Sequence, residues 1–279
     1  MDAHEADAVR QQAQQAFGGP QQEPSFDQNE KSDIKHVVGV VSGKGGVGKS
    51  FVTSAIAVEL ARAGERVGIL DADITGPSIP KMFGLSDDRA FAQDGLLLPS
   101  QTEDGMKIVS TNLVLEHETD PVLWRGPMLA GILRQFWAET AWGPIDHMVI
   151  DMPPGTGDVA LTVFQQLPIE GVVIVSSPQD LVQMVVGKAV KMAQMMDVPV
   201  LGLVENMSYF ECPDCGSRHE LFGESRAAET AKAYGIELLD QLPINPAFAR
   251  SCDAGRIEGE LPEGLLPKAV AAVQASAKG

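Results

Sequence analysis

Val37-Val38-Gly39-Val40-Val41-Ser42-Gly43-Lys44-Gly45-Gly46-Val47-Gly48-Lys49-Ser50 decides the fold of this 279-residue chain. A short β-branched run, apolar without alternation, enters a glycine-rich turn, as a parallel strand covered on both faces does. Ser50–Arg62 then has helical spacing and closes at Ala63-Gly64. The turn matches G-x-x-x-x-G-K-[ST] from Gly43 to Ser50, with a strand before it and a helix after. Glycines let successive main-chain N–H groups face phosphate oxygens with no Cβ in the way. The positive end of the helix supports the anion.

A nucleoside triphosphate, ATP with Mg²⁺, is the expected ligand. Its cradle would be Gly43, Lys44, Gly45, Gly46, Val47, Gly48, Lys49, Ser50 and Phe51. Lys49 would supply charge to the β- and γ-phosphates, and the Ser50 hydroxyl would ligate Mg²⁺. Asp71-Ala72-Asp73 ends the next strand, Arg66–Leu70, where a nucleotide-sensing loop would start. Asp73 is the candidate for orienting an attacking water. Asp151 ends the apolar strand His147–Ile150 and opens Asp151-Met152-Pro153-Pro154-Gly155-Thr156-Gly157-Asp158. A carboxylate there can hold Mg²⁺ through water while Gly155 senses the γ-phosphate. A lone Asp at a strand end is usually a cap or turn residue. Three such stations in the right order outweigh that reading.

Further strands are expected at Lys107–Thr111, Gly171–Val175, Val200–Val204 and Gly235–Asp240. Helices are expected at Pro127–Glu139, Asp180–Met196, Glu224–Tyr234 and Leu261–Ala277. The alternation implies an α/β fold, a mainly parallel sheet with helices on both faces, and ligand loops at the carboxyl ends of the strands. Residues 1–33 are polar and Gln-rich, too poor in apolar side chains to offset ordering entropy, and read as a disordered tail in which part of Ala6–Phe17 can form a transient helix. Residues 34–279 read as one nucleotide-binding domain with a C-x-x-C insertion near 205–223. The net charge of −17 disfavours nucleic acid and anionic membranes as partners. No apolar run reaches spanning length and no secretory h-region is present, so a cytoplasmic protein is expected.

Cys212 and Cys215 form the C-x-x-C, and Cys252 stands alone as a small buried hydrophobe. From the residues, three readings of the pair stay open: thiolate ligands of an iron–sulfur cluster, a Zn²⁺ shared between two subunits, or a redox dithiol. His219 could add a ligand, though exposure without a ligand role is the simpler reading. Met192, Met195 and Met196 follow helical spacing, and Trp124, Trp137 and Trp142 are expected to cover the core or an interface.

Gly43–Ser50, Asp71-Ala72-Asp73-Ile74-Thr75-Gly76-Pro77-Ser78, Asp151–Asp158 and Asn206-Met207-Ser208-Tyr209-Phe210-Glu211-Cys212-Pro213-Asp214-Cys215-Gly216 occur in this order. Together they resemble the Mrp/ApbC iron–sulfur cluster carrier ATPases within the MinD/ParA group, from about Lys35 to the C-terminus. Lys44 marks the deviant Walker A loop of that group, whose second lysine reaches the partner subunit's nucleotide. The resemblance implies a slow ATPase, and a homodimer in which Cys212 and Cys215 of both copies hold one [4Fe–4S] cluster destined for apo-proteins. Asn206 would contact the base. Phe51 departs from the family's usual Thr, and Thr75 from a common Tyr, which leaves a nucleotide-gated adaptor open. Within the same group, a MinD- or ParA-like positioning switch is the other function class. No Cys precedes Cys212, so the N-terminal four-cysteine motif of some relatives is absent.

Overall fold

The computed structural model describes residues 26–74, 76–86, 88, 91–113, 126–178 and 182–277. Ala6–Phe17, Thr75, Trp124 and the first two residues of the expected Asp180–Met196 helix lie outside them.

In chain order the elements are β1 (Ser32–Ser42), α1 (Lys49–Arg62), β2 (Val67–Asp71), α2 (Ile79–Met82), β3 (Phe91–Gln93), β4 (Leu96–Leu98), β5 (Ser100–Gln101) and β6 (Lys107–Val109). There follow α3 (Gly126–Ala138), β7 (Gly143–Asp151), α4 (Asp158–Gln166), β8 (Gly171–Ser176), α5 (Val182–Met195) and β9 (Val200–Glu211). The chain closes with β10 (Arg218–His219), α6 (Ala227–Tyr234), β11 (Leu238–Pro243), α7 (Pro246–Asp253), α8 (Ile257–Glu260) and α9 (Pro267–Ser276).

The main sheet runs β9-β8-β1-β7-β2-β6-β5, with β11 on the free edge of β9 and β10 hairpinned to the far end of β9. All pairs but β5–β6 and β9–β10 are parallel. Strand β1 shows why the apolar run has no alternation. Val37 and Val41 enter one core, with α3, α4, α5 and α6, while Val38 and Val40 enter the other, with α1, α2, α8 and α9. Helix α1 is buried on nearly every side, from Phe51 through Leu60, which explains its apolar residues all round. Trp137 and Trp142 are core residues, both fully buried.

Five expectations shift. The polar segment is anchored from Phe26: its carbonyl accepts Trp137 Nε1–H at 2.7 Å, and Asn29 donates to the Ala138 and Thr140 carbonyls. Strand β9 runs on to Glu211, beyond the expected Val204. The edge strand is Leu238–Pro243, displaced past Gly235, which takes φ +65° to cap α6. Leu261 does not start the last helix; Gly264 turns with φ +67° and Pro267 opens α9. Helix α4 follows the Asp151–Asp158 loop directly, unanticipated because its first residue belongs to that motif.

Candidate functional site

The loops after β1, β2, β7 and β9 carry the polar residues to one end of the sheet. Sheet register sets the spacing: Val40 and Asp71 both pair with Asp151 across neighbouring strands. Ala72 N–H donates to the Asp151 carbonyl at 2.9 Å, and Gly155 N–H to the Ser42 carbonyl at 2.8 Å, so the post-β7 loop folds back on β1. Gly155 takes φ +86° to make that return.

Gly46 and Gly48 have φ of +79° and +80°, a left-handed conformation that favours glycine. A Cβ at Gly45 or Gly46 would meet nothing within 4 Å, so the loop's outer face is open to a ligand. A Cβ at Gly48 would fall 2.1 Å from Asn206 Nδ2. Asn206 donates from that nitrogen to the Val47 carbonyl at 3.0 Å, placing β9 directly against the phosphate loop.

Lys49 is buried, with Nζ 2.7 Å from Asp151 Oδ1 and 3.6 Å from Asp73 Oδ2. Ser50 Oγ donates to Asp151 Oδ2 at 2.6 Å and Thr53 Oγ1 to Asp151 Oδ1 at 2.8 Å. The Ser50 hydroxyl beside a fully buried carboxylate is a hard-oxygen set of the kind Mg²⁺ takes. Lys44 sits half-buried at the start of the loop. Phe51 turns into the core, its ring stacked on Phe248 of α7 with centroids 5.2 Å apart.

Asp71 is fully buried and accepts from Ser110 Oγ at 3.0 Å and from the Asp73 and Ile79 N–H groups at 3.2 and 3.4 Å. Burial, then the neighbouring Asp151 charge, push its carboxyl up to about 8.

Sequence reasoning passed over Thr53, Ser110 and Glu205. Thr53 carried a signal, standing four residues after Lys49 and so on the same helix face. Ser110 had none; the sheet alone brings it to Asp71.

The cysteines occupy the turn of the β9–β10 hairpin, where Glu211 pairs with Arg218 and Phe210 with His219. Gly216 N–H donates to the Cys212 carbonyl at 2.8 Å and Cys212 N–H to the Ser217 carbonyl at 2.9 Å, making a tight knuckle. Both thiols are free, Cys215 exposed and Cys212 partly so. The Ser217 hydroxyl and N–H, then the Cys212 thiol, hold Cys215 below the usual thiol range. Among the described residues no third His, Cys, Asp or Glu joins them in a metal-binding group, and His219 is simply exposed on β10. Cys252 is only half-buried, packed against the α1 core.

A ParA family model, described as the NUBPL iron-transfer P-loop NTPase, matches residues 33–275. The chain belongs to that family. Relatives called "Iron-sulfur cluster carrier protein" include one from Clostridium perfringens, 48% identical over 84% of each chain. Another, from Methanocaldococcus jannaschii, is 42% identical over 80% of this chain and 78% of its own. The fold matches an Archaeoglobus fulgidus nucleotide-binding protein in complex with ADP, with Co found by PIXE: 46% identity, TM-score 0.75, covering 82% of this chain and 90% of that one. The Pyrococcus furiosus cell division ATPase MinD aligns at 20% identity with TM-score 0.59, over 88% and 98% of the two chains, and that likeness is one of fold. The positioning-switch reading is accordingly the weaker one. No helix among the described residues is long and apolar enough to cross a membrane.

Proposed function

We propose that this protein is an ATP-binding and slowly ATP-hydrolysing carrier that holds a [4Fe–4S] cluster between two copies of itself and delivers it to apo-proteins. The observation that carries this is strand β9: Asn206 touches the phosphate loop, and the same strand leads into two free thiols, one exposed and one partly so. One chain supplies two thiolates and a cubane needs four; two-fold symmetry supplies the rest.

The main-chain N–H groups of Gly43 to Gly48 would cradle the β- and γ-phosphates, with Lys49 neutralising them and Asn206 meeting the base. Ser50 directly, and Asp151 through water, would hold Mg²⁺, which neutralises charge developing on the transferred phosphoryl group. Asp73, 3.6 Å from Lys49, would orient the attacking water. Lys44 would reach the partner copy's phosphates, so nucleotide binding favours the dimer. This work is positioning and charge stabilisation, with no covalent step.

The test is anaerobic reconstitution with ferrous iron and sulfide. The expected product is brown and dimeric, and is lost in Cys212→Ser or Cys215→Ser. Stoichiometric zinc with no cluster uptake overturns the carrier reading. Phosphate release that is abolished in Lys49→Ala and Asp73→Ala supports the ATPase; release unchanged in both refutes these roles.

A further inference from the structure

We infer that Glu205 is a positioning residue that ties nucleotide occupancy at the phosphate loop to the posture of the cysteine turn. The inference rests on the nucleotide-and-cysteine reading above and adds the route between the two sites.

Glu205 is fully buried on β9, next to Asn206. Its Oε2 accepts from Ser208 Oγ at 2.6 Å, Ser225 Oγ at 2.6 Å and Gln241 Nε2 at 2.8 Å. Gln241 also donates to both serine hydroxyls, at 3.0 and 3.2 Å. Oε1 is buried and has no hydrogen-bond partner among the described residues. Nothing apolar about β9 requires a carboxyl here; the neighbouring inward residue of the same strand face is Leu203. The three donors come from three different places. Ser208 precedes the cysteine hairpin, Ser225 closes the loop that follows it, and Gln241 lies opposite in β11. A buried carboxyl does not give up its donors cheaply, so these segments move with it.

The backbone beside it is strained. Met207 has φ +58°, unusual for a residue with a Cβ, and its N–H is held by Asn206 Oδ1 at 2.9 Å. Both ends of the Asn206 amide are therefore engaged, one on the phosphate loop and one on the strained residue. A nucleotide base that draws Asn206 away releases both at once. The hairpin has room to respond: a cleft of about 670 Å³ lies against it, lined by Ser208, Arg218, His219 and Gln241 among others. Glu205 ties the chain on either side of that hairpin, at Ser208 and at Ser225, to the strand that carries Asn206.

The experiment uses full-length, cluster-free protein carrying Cys252→Ser, so that thiol labelling reads only Cys212 and Cys215. It is run at a concentration where light scattering reports single chains, with MgADP as the probe. Saturating MgADP is expected to change the labelling rate by about fivefold in this reference. In Glu205→Gln and in Ser225→Ala, MgADP affinity should stay within about threefold while the labelling response disappears. Responses of equal size in the variants, or none in the reference, overturn the inference. Should Glu205→Gln fail to fold, Ser225→Ala decides alone, because it removes one donor and leaves the carboxyl in place. Failure of cluster uptake in the reconstitution leaves this thiol response intact, so the two readings fail separately.

Discussion

At the scale of single residues, Asp71 and Asp151 divide the work of two neighbouring carboxylates. Asp151 carries an ammonium and two hydroxyls, whereas Asp71 has, among the described residues, one hydroxyl, two main-chain N–H groups and no cation in hydrogen-bond contact. Burial and the Asp151 charge move Asp71 from 3.8 to about 8. Between those values the folded chain holds a proton that the unfolded chain has released. A raised folded-state value stabilises fully below the unfolded one and is lost as pH climbs to the folded one. Without nucleotide or magnesium, stability should therefore fall relative to Asp71→Asn as pH rises from 4 to 8, by on the order of 2 kcal/mol or more. The difference should level off above that window. Thermal melts of the two proteins across pH check this; a flat difference would mean that Asp71 is ionised when folded.

At the scale of elements, β1, the glycine loop and α1 were legible because apolar period, glycine placement and length all agree there. Strand β9 was not. Its apolar run ends at Val204, and Glu205-Asn206-Met207-Ser208 looks like a loop from composition alone. The strand continues because Gln241 and Pro243 of β11 pair alongside it through register shifts, and because a polar network lies buried beneath it. The loop motifs, the aspartates and the cysteine pair could be named from sequence; Ser110 could not, since only the sheet brings it to Asp71, and Glu205, though next to Asn206, owes its burial and its donors to the fold. Phe51 shows the same limit from the other side. Sequence registers a missing hydroxyl, but the structure shows a ring stacked on Phe248 that joins α1 to α7. Phe51→Thr should cost about 2–4 kcal/mol of stability through the lost packing. It should leave Lys49 and Asp151 paired, and with them most nucleotide affinity. Chemical denaturation beside nucleotide titration separates the two effects; an affinity loss larger than the stability loss would place Phe51 in the nucleotide site.

At the scale of the whole molecule, the charge of −17 bears on the proposed homodimer. Two such chains repel at long range, yet the sulfurs of both must meet and Lys44 of each must approach the partner copy's phosphates. Long-range repulsion is screened beyond a Debye length, roughly 30 Å at 0.01 M salt and about 8 Å at 0.15 M. Contacts made in a closed interface are screened much less. Raising salt across that range should therefore tighten the ATP-bound dimer by about three- to tenfold, opposite to the behaviour of an association steered by complementary charge. Sedimentation velocity with MgATP measures it directly, using Asp73→Ala, which on the role proposed for Asp73 should keep the nucleotide unhydrolysed. A dimer that weakens as salt rises would locate its main attraction in exposed cross-chain ion pairs. Lys44→Ala should weaken the ATP-bound dimer and leave its tightening with salt in place, because that lysine would make its contact inside the closed interface, where screening is slight.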